Sequence, residues 1–198
     1  MKRIGLMLVA AMIATSSFAQ SAKFVLDKAA ATVTASSGVK ANFRMTTTTG
    51  NTSGTIAIKG KKFFATTPQA KVWFDGKTQW TYLKNNDEVN ISNPTEAQLQ
   101  AINPYNFITL YKRGYTYTMN TAGTNYVVHL TADNANKKIK ELFITVNKKS
   151  YEPMQIKMLQ GKKWTTFDIT SIKKQNIADS QFRFNSADFP KAEIIDLR

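Results

Sequence analysis

Residues 71–112, KVWFDGKTQWTYLKNNDEVNISNPTEAQLQAINPYNFITLYK, decide the fold. The stretch opens as sheet. Val72 and Phe74 alternate up to Asp75-Gly76, a hairpin turn signal, and Trp80 and Tyr82 follow with the same period of two. The period then changes. Asn93-Pro94 and Asn103-Pro104 each read as a helix start, because asparagine caps orphan N–H groups and proline at the first helical position gives up no needed donor. Glu96 stands where a capping-box partner of Asn93 belongs, and Gly114 closes the second helix. Strand patterns flank the pair on both sides. The two helices therefore interrupt a sheet, and they are predicted to lie across its apolar face as a cover.

Outward from this stretch, Ser21 is predicted to cap a helix running to about Ser36. Ala22, Val25, Leu26, Ala29 and Val33 recur there at helical spacing, and Gly38 is the stop. The rest of the chain alternates. Val39, Ala41, Phe43 and Met45 share a face, and Ile56 with Ile58 extends it. Phe63-Phe64 precede the quoted hairpin, and Val89 and Ile91 follow it. Beyond the insert come Tyr115/Tyr117/Met119, Tyr126/Val128/Leu130, Leu142/Ile144/Val146, Met154/Ile156/Met158, Phe167/Ile169 and a last strand with Phe182 and Phe184. Turn signals fall about every eight to twelve residues, the signature of an all-β sandwich or barrel. The reading is mainly β with α: about eleven curved antiparallel strands and about three helices, one sheet face wet and the other dry.

Residues 1–19 read as an export leader, not as part of this fold. Lys2 and Arg3 precede an apolar run, Leu6 to Ala14, and Ser17-Phe18-Ala19 is a small-x-small cleavage site. Cleavage after Ala19 places the protein in the periplasm and leaves 20–198 as one predicted domain. The 198 residues include no cysteine, which excludes disulfides, a thiol nucleophile and a cysteine zinc site. The net charge of +14 favours anionic partners. Export makes nucleic acid a poor choice among them, and anionic lipid surfaces or acidic proteins fit better. The paired lysines (Lys61-Lys62, Lys137-Lys138, Lys148-Lys149, Lys162-Lys163, Lys173-Lys174) fall at strand ends and turns, where they also protect sheet edges.

Catalytic and metal chemistry lack their residues. His129 is the one histidine and falls on the polar face of its strand, so neither a typical zinc site nor a Ser-His-Asp triad can be assembled. Asp75 and Asp87 are read as turn residues. No phosphate-binding or dinucleotide motif occurs, and no enzyme activity or cofactor is predicted. What the sequence does supply is apolar and adaptable: Met45, Met119, Met154 and Met158 all fall on the predicted dry face. Gap-filling in a solid core would use the same residues.

The hairpin Phe74-Asp75-Gly76-Lys77-Thr78-Gln79-Trp80-Thr81-Tyr82, the helical insert after it, the leader and first helix before it, and the ending Ala192-Glu193-Ile194-Ile195-Asp196-Leu197-Arg198 together resemble the LolA-like family of periplasmic outer-membrane lipoprotein carriers, in the lysine-rich form of Bacteroidetes-like bacteria. The resemblance implies an incomplete, half-open β-barrel closed by helices around a hydrophobic cavity. It also implies a monomeric carrier that takes lipoproteins from an inner-membrane ABC transporter to an outer-membrane acceptor. On that expectation the acyl-chain cavity is walled by Phe43, Met45, Ile56, Ile58, Val72, Phe74, Trp80, Tyr82, Met154, Ile156 and Met158, under lid residues Leu99, Ile102, Phe107, Ile108 and Leu110. The lid-latching arginine of better-known carriers has no counterpart. Gly60-Lys61-Lys62 stands in its place, which leaves Lys61 and Lys62 as the candidate latch. Two other classes compete: a non-carrier envelope protein of the same fold, binding a lipid, a glycolipid or a protein partner as sensor or scaffold, and a basic module that adheres to anionic surfaces.

Overall fold

The twelve-residue helix α1, Ala22–Val33, begins where Ser21 accepts a hydrogen bond from the Phe24 N–H, and it buries Val25, Leu26, Ala29, Ala30 and Val33. Its cap at the far end is Thr34, so it stops short of the predicted Ser36. The computed structural model describes residues 21–34, 36–95, 98–99 and 109–198. The export leader lies outside them.

Twelve strands follow: β1 Val39–Thr47, β2 Gly50–Lys59, β3 Lys62–Thr66, β4 Ala70–Phe74, β5 Gln79–Leu83, β6 Glu88–Ser92, β7 Tyr115–Ala122, β8 Asn125–Ala132, β9 Ile139–Asn147, β10 Pro153–Gln160, β11 Lys163–Lys174 and β12 Glu193–Asp196. They form one sheet in the order β12-β6-β5-β4-β3-β2-β1-β11-β10-β9-β8-β7, which does not close into a barrel. Two meanders, β1 to β6 and β7 to β11, run away from each other from a central seam where β1 pairs antiparallel with β11.

Three expectations are corrected here. The twelfth strand adds to β6 in parallel, so the sheet is not wholly antiparallel. Phe182 ends a short 3-10 turn, Asp179–Phe182, and Phe184 follows it outside any strand. The described end of the second predicted insert helix, Leu110–Lys112, is a 3-10 turn, as are Asp179–Phe182 and Ser186–Asp188; α1 is the one α-helix described in full, Gln98, Leu99 and Thr109 are helical, and the rest of the insert lies outside the described residues.

The face carrying α1 is the inner one. Against it α1 and the β8–β10 residues Val128, Leu130, Leu142, Ile144 and Ile156 make the larger core. A second inner core, Ile56, Ile58, Phe63 and Phe74, lies across the seam on β2–β4. The outer face of that half is also covered, which departs from the predicted wet face. Ile177 and Phe182 pack there on Ala57 and Phe64, all but Phe64 nearly fully buried. The paired aromatics explain this. In Phe63-Phe64 and Trp73-Phe74 one ring points each way, so both sheet faces carry apolar surface.

Gly54 marks the closest approach in the inner wall. A Cβ there would lie 2.3 Å from the Thr66 carbonyl oxygen and 2.7 Å from the Phe43 ring. The oxygen belongs to the neighbouring strand's backbone and cannot turn aside. Gly54→Ala is therefore expected to destabilise the protein by about 1–3 kcal/mol, read as a lower urea midpoint; an unchanged midpoint would show that the wall is looser than its geometry.

Candidate functional site

The connection from β6 to β7 has to cross the molecule, because β6 lies next to one edge of the sheet and β7 is the other edge. Its described ends show how it is held. At the start, the Thr78 hydroxyl of the β4–β5 turn donates to Asn93 Oδ1 over 3.0 Å. Asn93 is thereby used as a tether, not as a cap. The reciprocal box belongs to Thr95 and Gln98: the Gln98 amide oxygen accepts from the Thr95 N–H at 2.8 Å, and Thr95 Oγ1 accepts from the Gln98 N–H at 3.4 Å. Thr95 thus stands where Asn93 was expected. Leu99 then packs on the β2–β4 core. At the far end Leu110 and Tyr111 are buried in the α1 core, and the Tyr111 hydroxyl donates to Asp27 of α1. Lys23 also binds Asp27, at 2.6 Å, and these two donors, Lys23 foremost, hold its carboxyl below the usual range. Gly114, at φ +76°, follows the cap Arg113 as expected. Among the lid residues, Leu99 and Leu110 thus reach the inner face, on opposite sides of the seam. Ile102, Phe107 and Ile108, with Asn103-Pro104 and Glu96, lie outside the described residues.

Between the two inner cores, along the seam, a cleft remains. Val33 of α1, Ala41 and Phe43 of β1, Ile56 and Ile58 of β2, Pro153 and Ile156 of β10, and Phe167, Ile169 and Ile172 of β11 line it, every one apolar. Ala41, Phe43, Phe167, Ile169 and Ile172 are only half-buried, in the middle of a twelve-stranded sheet. The cleft is narrow, with about 50 Å³ open to the centres of water-sized spheres. That is room for a few waters at most.

Of the predicted wall, Phe43, Ile56, Ile58 and Ile156 line the cleft. Val72 and Phe74 belong to the adjoining β2–β4 core, Met158 to the α1 core, and Met45 is half-buried further along the inner face of β1. Trp80 and Tyr82 are corrected. Trp80 pairs with Trp73 and Tyr82 with Lys71, so both point outward, while Phe74 and Val72 point in. The outer group is a cluster in which Trp73 meets Phe64, Phe184 and Phe189, and Tyr82 meets Phe189 at 4.6 Å between ring centres. Met154 is corrected as well. It is the extra residue of a bulge between Pro153 and Gln155, it is 41% exposed, and the bulge seats Pro153 in the cleft instead. A bulge at Asn42/Phe43 opposite Thr170 likewise brings Ile172 onto the face of Ile169, a spacing of three that simple alternation misses.

Lys62 is not a latch on the inner face. It binds Asp179 at 2.7 Å, and Lys59 binds the same carboxylate at 3.0 Å and the Ile177 carbonyl at 2.9 Å. Lys61 is exposed in the β2–β3 turn. These lysines fasten the segment after β11 to the outer face. From there the chain runs past Phe184 and Phe189 to β12. Asp75 serves its turn, accepting from the Lys77 and Thr78 N–H groups at 3.0 and 2.9 Å. Asp87 accepts from the Tyr82 hydroxyl at 2.9 Å. His129 lies flat on Phe143, ring centres 4.1 Å apart, and meets Glu141 at 3.0 Å. Among the described residues no cluster of three metal-binding side chains occurs, and no helix is long and apolar enough to cross a membrane.

Comparison with known proteins follows the geometry. A family model described as "Outer membrane lipoprotein carrier protein LolA" matches residues 13–162. No match is found among curated protein sequences. An uncharacterized conserved protein from Thermus thermophilus superposes with a TM-score of 0.60 at 13% identity, over 89% of this chain and 99% of that one, a likeness of fold. A LolA superfamily protein from Nitrosomonas europaea gives 0.46 at 12% identity over 84% and 99% of the two chains. The MucA/MucB complex of Pseudomonas aeruginosa gives 0.48 at 13% over 82% and 60%.

Lys62 first, then Lys59, holds the Asp179 carboxyl down to about 2. A carboxyl whose folded value lies below its unfolded value of 3.8 strengthens the fold above that pH, and the gain is lost as pH falls toward about 2. Protection of the 177–183 amides from hydrogen exchange, corrected for intrinsic rates, is therefore expected to decline across that window. In Asp179→Asn it should be lower at neutral pH and flat between about pH 4 and 2; equal profiles would show that the carboxylate does not hold the segment.

Proposed function

The chain belongs to the outer membrane lipoprotein carrier (LolA) family, and on that premise we propose that it is a periplasmic carrier whose inner-face cleft shelters the acyl chains of lipoproteins between an inner-membrane ABC transporter and an outer-membrane acceptor. The observation that carries this reading is the seam itself: ten apolar side chains from α1 and four strands, half of them incompletely buried, facing one another with no polar group among them. An aliphatic chain is the ligand such a lining accepts, since it asks for no hydrogen bond and offers none.

Energetics fix the mechanism. Each buried CH₂ is worth about 0.8 kcal/mol, so a sixteen-carbon chain gains on the order of 12 kcal/mol on leaving water. The resting cleft is too small for such a chain, so cargo must part the two inner cores. Leu99 is the described contact that has to yield on one side, and Leu110 on the other. Tethers at Asn93 and Tyr111 keep the crossing segment attached while its contacts change. The acyl chain replaces those contacts with its own, and release reverses the exchange. This needs no cofactor and no metal.

The narrowness of the cleft favours one second reading, an envelope protein of the same fold with a filled interior that binds a protein partner as sensor or scaffold. Carriage is tested with a hydrophobic dye and a synthetic diacylated lipopeptide. The lipopeptide is expected to displace dye from the wild type. Ile169→Glu, which puts a carboxylate in the cleft, should weaken this by roughly tenfold or more. Thr170→Glu on the exposed bulge should leave it unchanged. No displacement, together with no acyl lipid in an organic extract of protein purified without detergent, would favour the second reading.

A further inference from the structure

The inner face does not stay apolar along its length. Next to the aliphatic part of the cleft, β1, β11 and β10 carry Met45, Phe167 and Met158; Phe167 itself lines the cleft, and Met45 stands directly opposite it. Two residues further they carry Thr47, Thr165 and Gln160, and Lys163 follows on β11. Cross-strand register places Thr165 opposite the inward Met158, and Lys163 opposite Gln160. The face therefore changes along the strands from aliphatic to thioether and aromatic and then to hydroxyl, amide and ammonium over about 13 Å of strand, with β10 turning polar one pair later than β11. At the polar end Thr47, Thr48, Thr49, Gln160, Lys163, Trp164 and Thr165 enclose an open depression of about 290 Å³.

The groups there are available. Thr47 and Thr49 bond each other at 3.0 Å and brace the β1–β2 turn. Thr48, Thr165 and the Gln160 amide make no side-chain hydrogen bond among the described residues, and Lys163 makes no ion pair. Trp164 is flanked by Lys157, 4.6 Å from its ring centre, on the outer side of the sheet. No acidic side chain lines the depression.

We propose that this depression is a head-group site, taking the anionic phosphodiester or similarly charged polar end of an acylated amphiphile whose chain lies in the seam cleft. The inference rests on the carrier reading and adds an orientation and a preference to it. The chain points toward Ile172 and Val33, and the head toward the β1–β2 and β10–β11 turns. Ammonium and hydroxyl donors converge on the head, charge-assisted hydrogen bonds being the stronger kind. Amphiphiles with an anionic head are then selected over uncharged ones of the same chain length.

The test compares lysophosphatidylglycerol with the monoacylglycerol of identical chain as competitors of a bound hydrophobic dye, below their aggregation concentrations, with glycerol 3-phosphate as the head alone. The wild type should bind the anionic lipid about fivefold more tightly than the neutral one, and glycerol 3-phosphate should displace nothing. Lys163→Ala with Thr165→Val should erase the preference, leave the affinity for monoacylglycerol intact, and leave the urea midpoint near that of the wild type. Equal binding of both lipids by the wild type, or a preference that survives the double substitution, overturns the head-group site while the carrier reading stands. Displacement by glycerol 3-phosphate alone would also overturn it, as a free-anion site unconnected with the cleft. If neither lipid displaces the dye while the diacylated lipopeptide does, the head-group site fails and the carrier reading stands; if the lipopeptide fails as well, both fall.

Discussion

One topological constraint governs this molecule. Two meanders grow in opposite directions from the β1–β11 seam, so the chain leaves the first meander near one edge of a twelve-stranded sheet and enters the second at the other. The connection must cross the sheet, and its described ends touch the inner face on both sides of the seam through Leu99 and Leu110. Among the described residues, Val33 of α1 reaches the seam, and the cleft lies along it. The larger core on one side and the smaller on the other are each closed without the cleft.

The two faces of the first meander divide the work. Outside, the segment after β11 is fastened by Lys59 and Lys62 to Asp179, by Ile177 and Phe182 in an apolar seat, and by Trp73, Phe184, Phe189 and Tyr82 ring against ring. Burying side chains such as Phe182 is worth about 1.5–3 kcal/mol each, and a backing of that kind stiffens the wall that carries Ile56, Ile58, Phe63 and Phe74 on its other side. Inside, Ile56 and Ile58 border the cleft, and Leu99 packs on their core. On the proposed carrier reading, an outer support of this kind would let cargo exchange with Leu99 without loss of the sheet.

Much of this was legible in the sequence because the signals were local. Ser21 and the 3.6-residue spacing gave α1, and Asp75-Gly76 gave its hairpin. The alternation of Val39, Ala41, Phe43 and Met45 gave the inner face of β1. The errors came where register or distant partners decide. Nothing within β5 says that Trp80 stands opposite Trp73 and not Phe74; only the pairing turns it outward. The bulges at Met154 and Thr170 break the period of two without a glycine or proline at the extra residue to announce them. The outer cover was available as a signal, since Phe63-Phe64 and Val72-Trp73-Phe74 leave no polar face, but its partners lie more than a hundred residues away. Lys62 looked like a lid latch only until Asp179 was placed beside it.

Methyl-resolved NMR of the protein with a lipopeptide carrying protonated acyl chains, the protein deuterated except at isoleucine methyls, addresses the occupied cleft itself. The account predicts nuclear Overhauser contacts from the acyl methylenes to Ile56, Ile58, Ile169 and Ile172 on the seam, and none to Ile177 on the outer face. Contacts confined to Ile177 or to the exposed Ile194, with Ile56, Ile58, Ile169 and Ile172 silent at saturating lipopeptide, would contradict it.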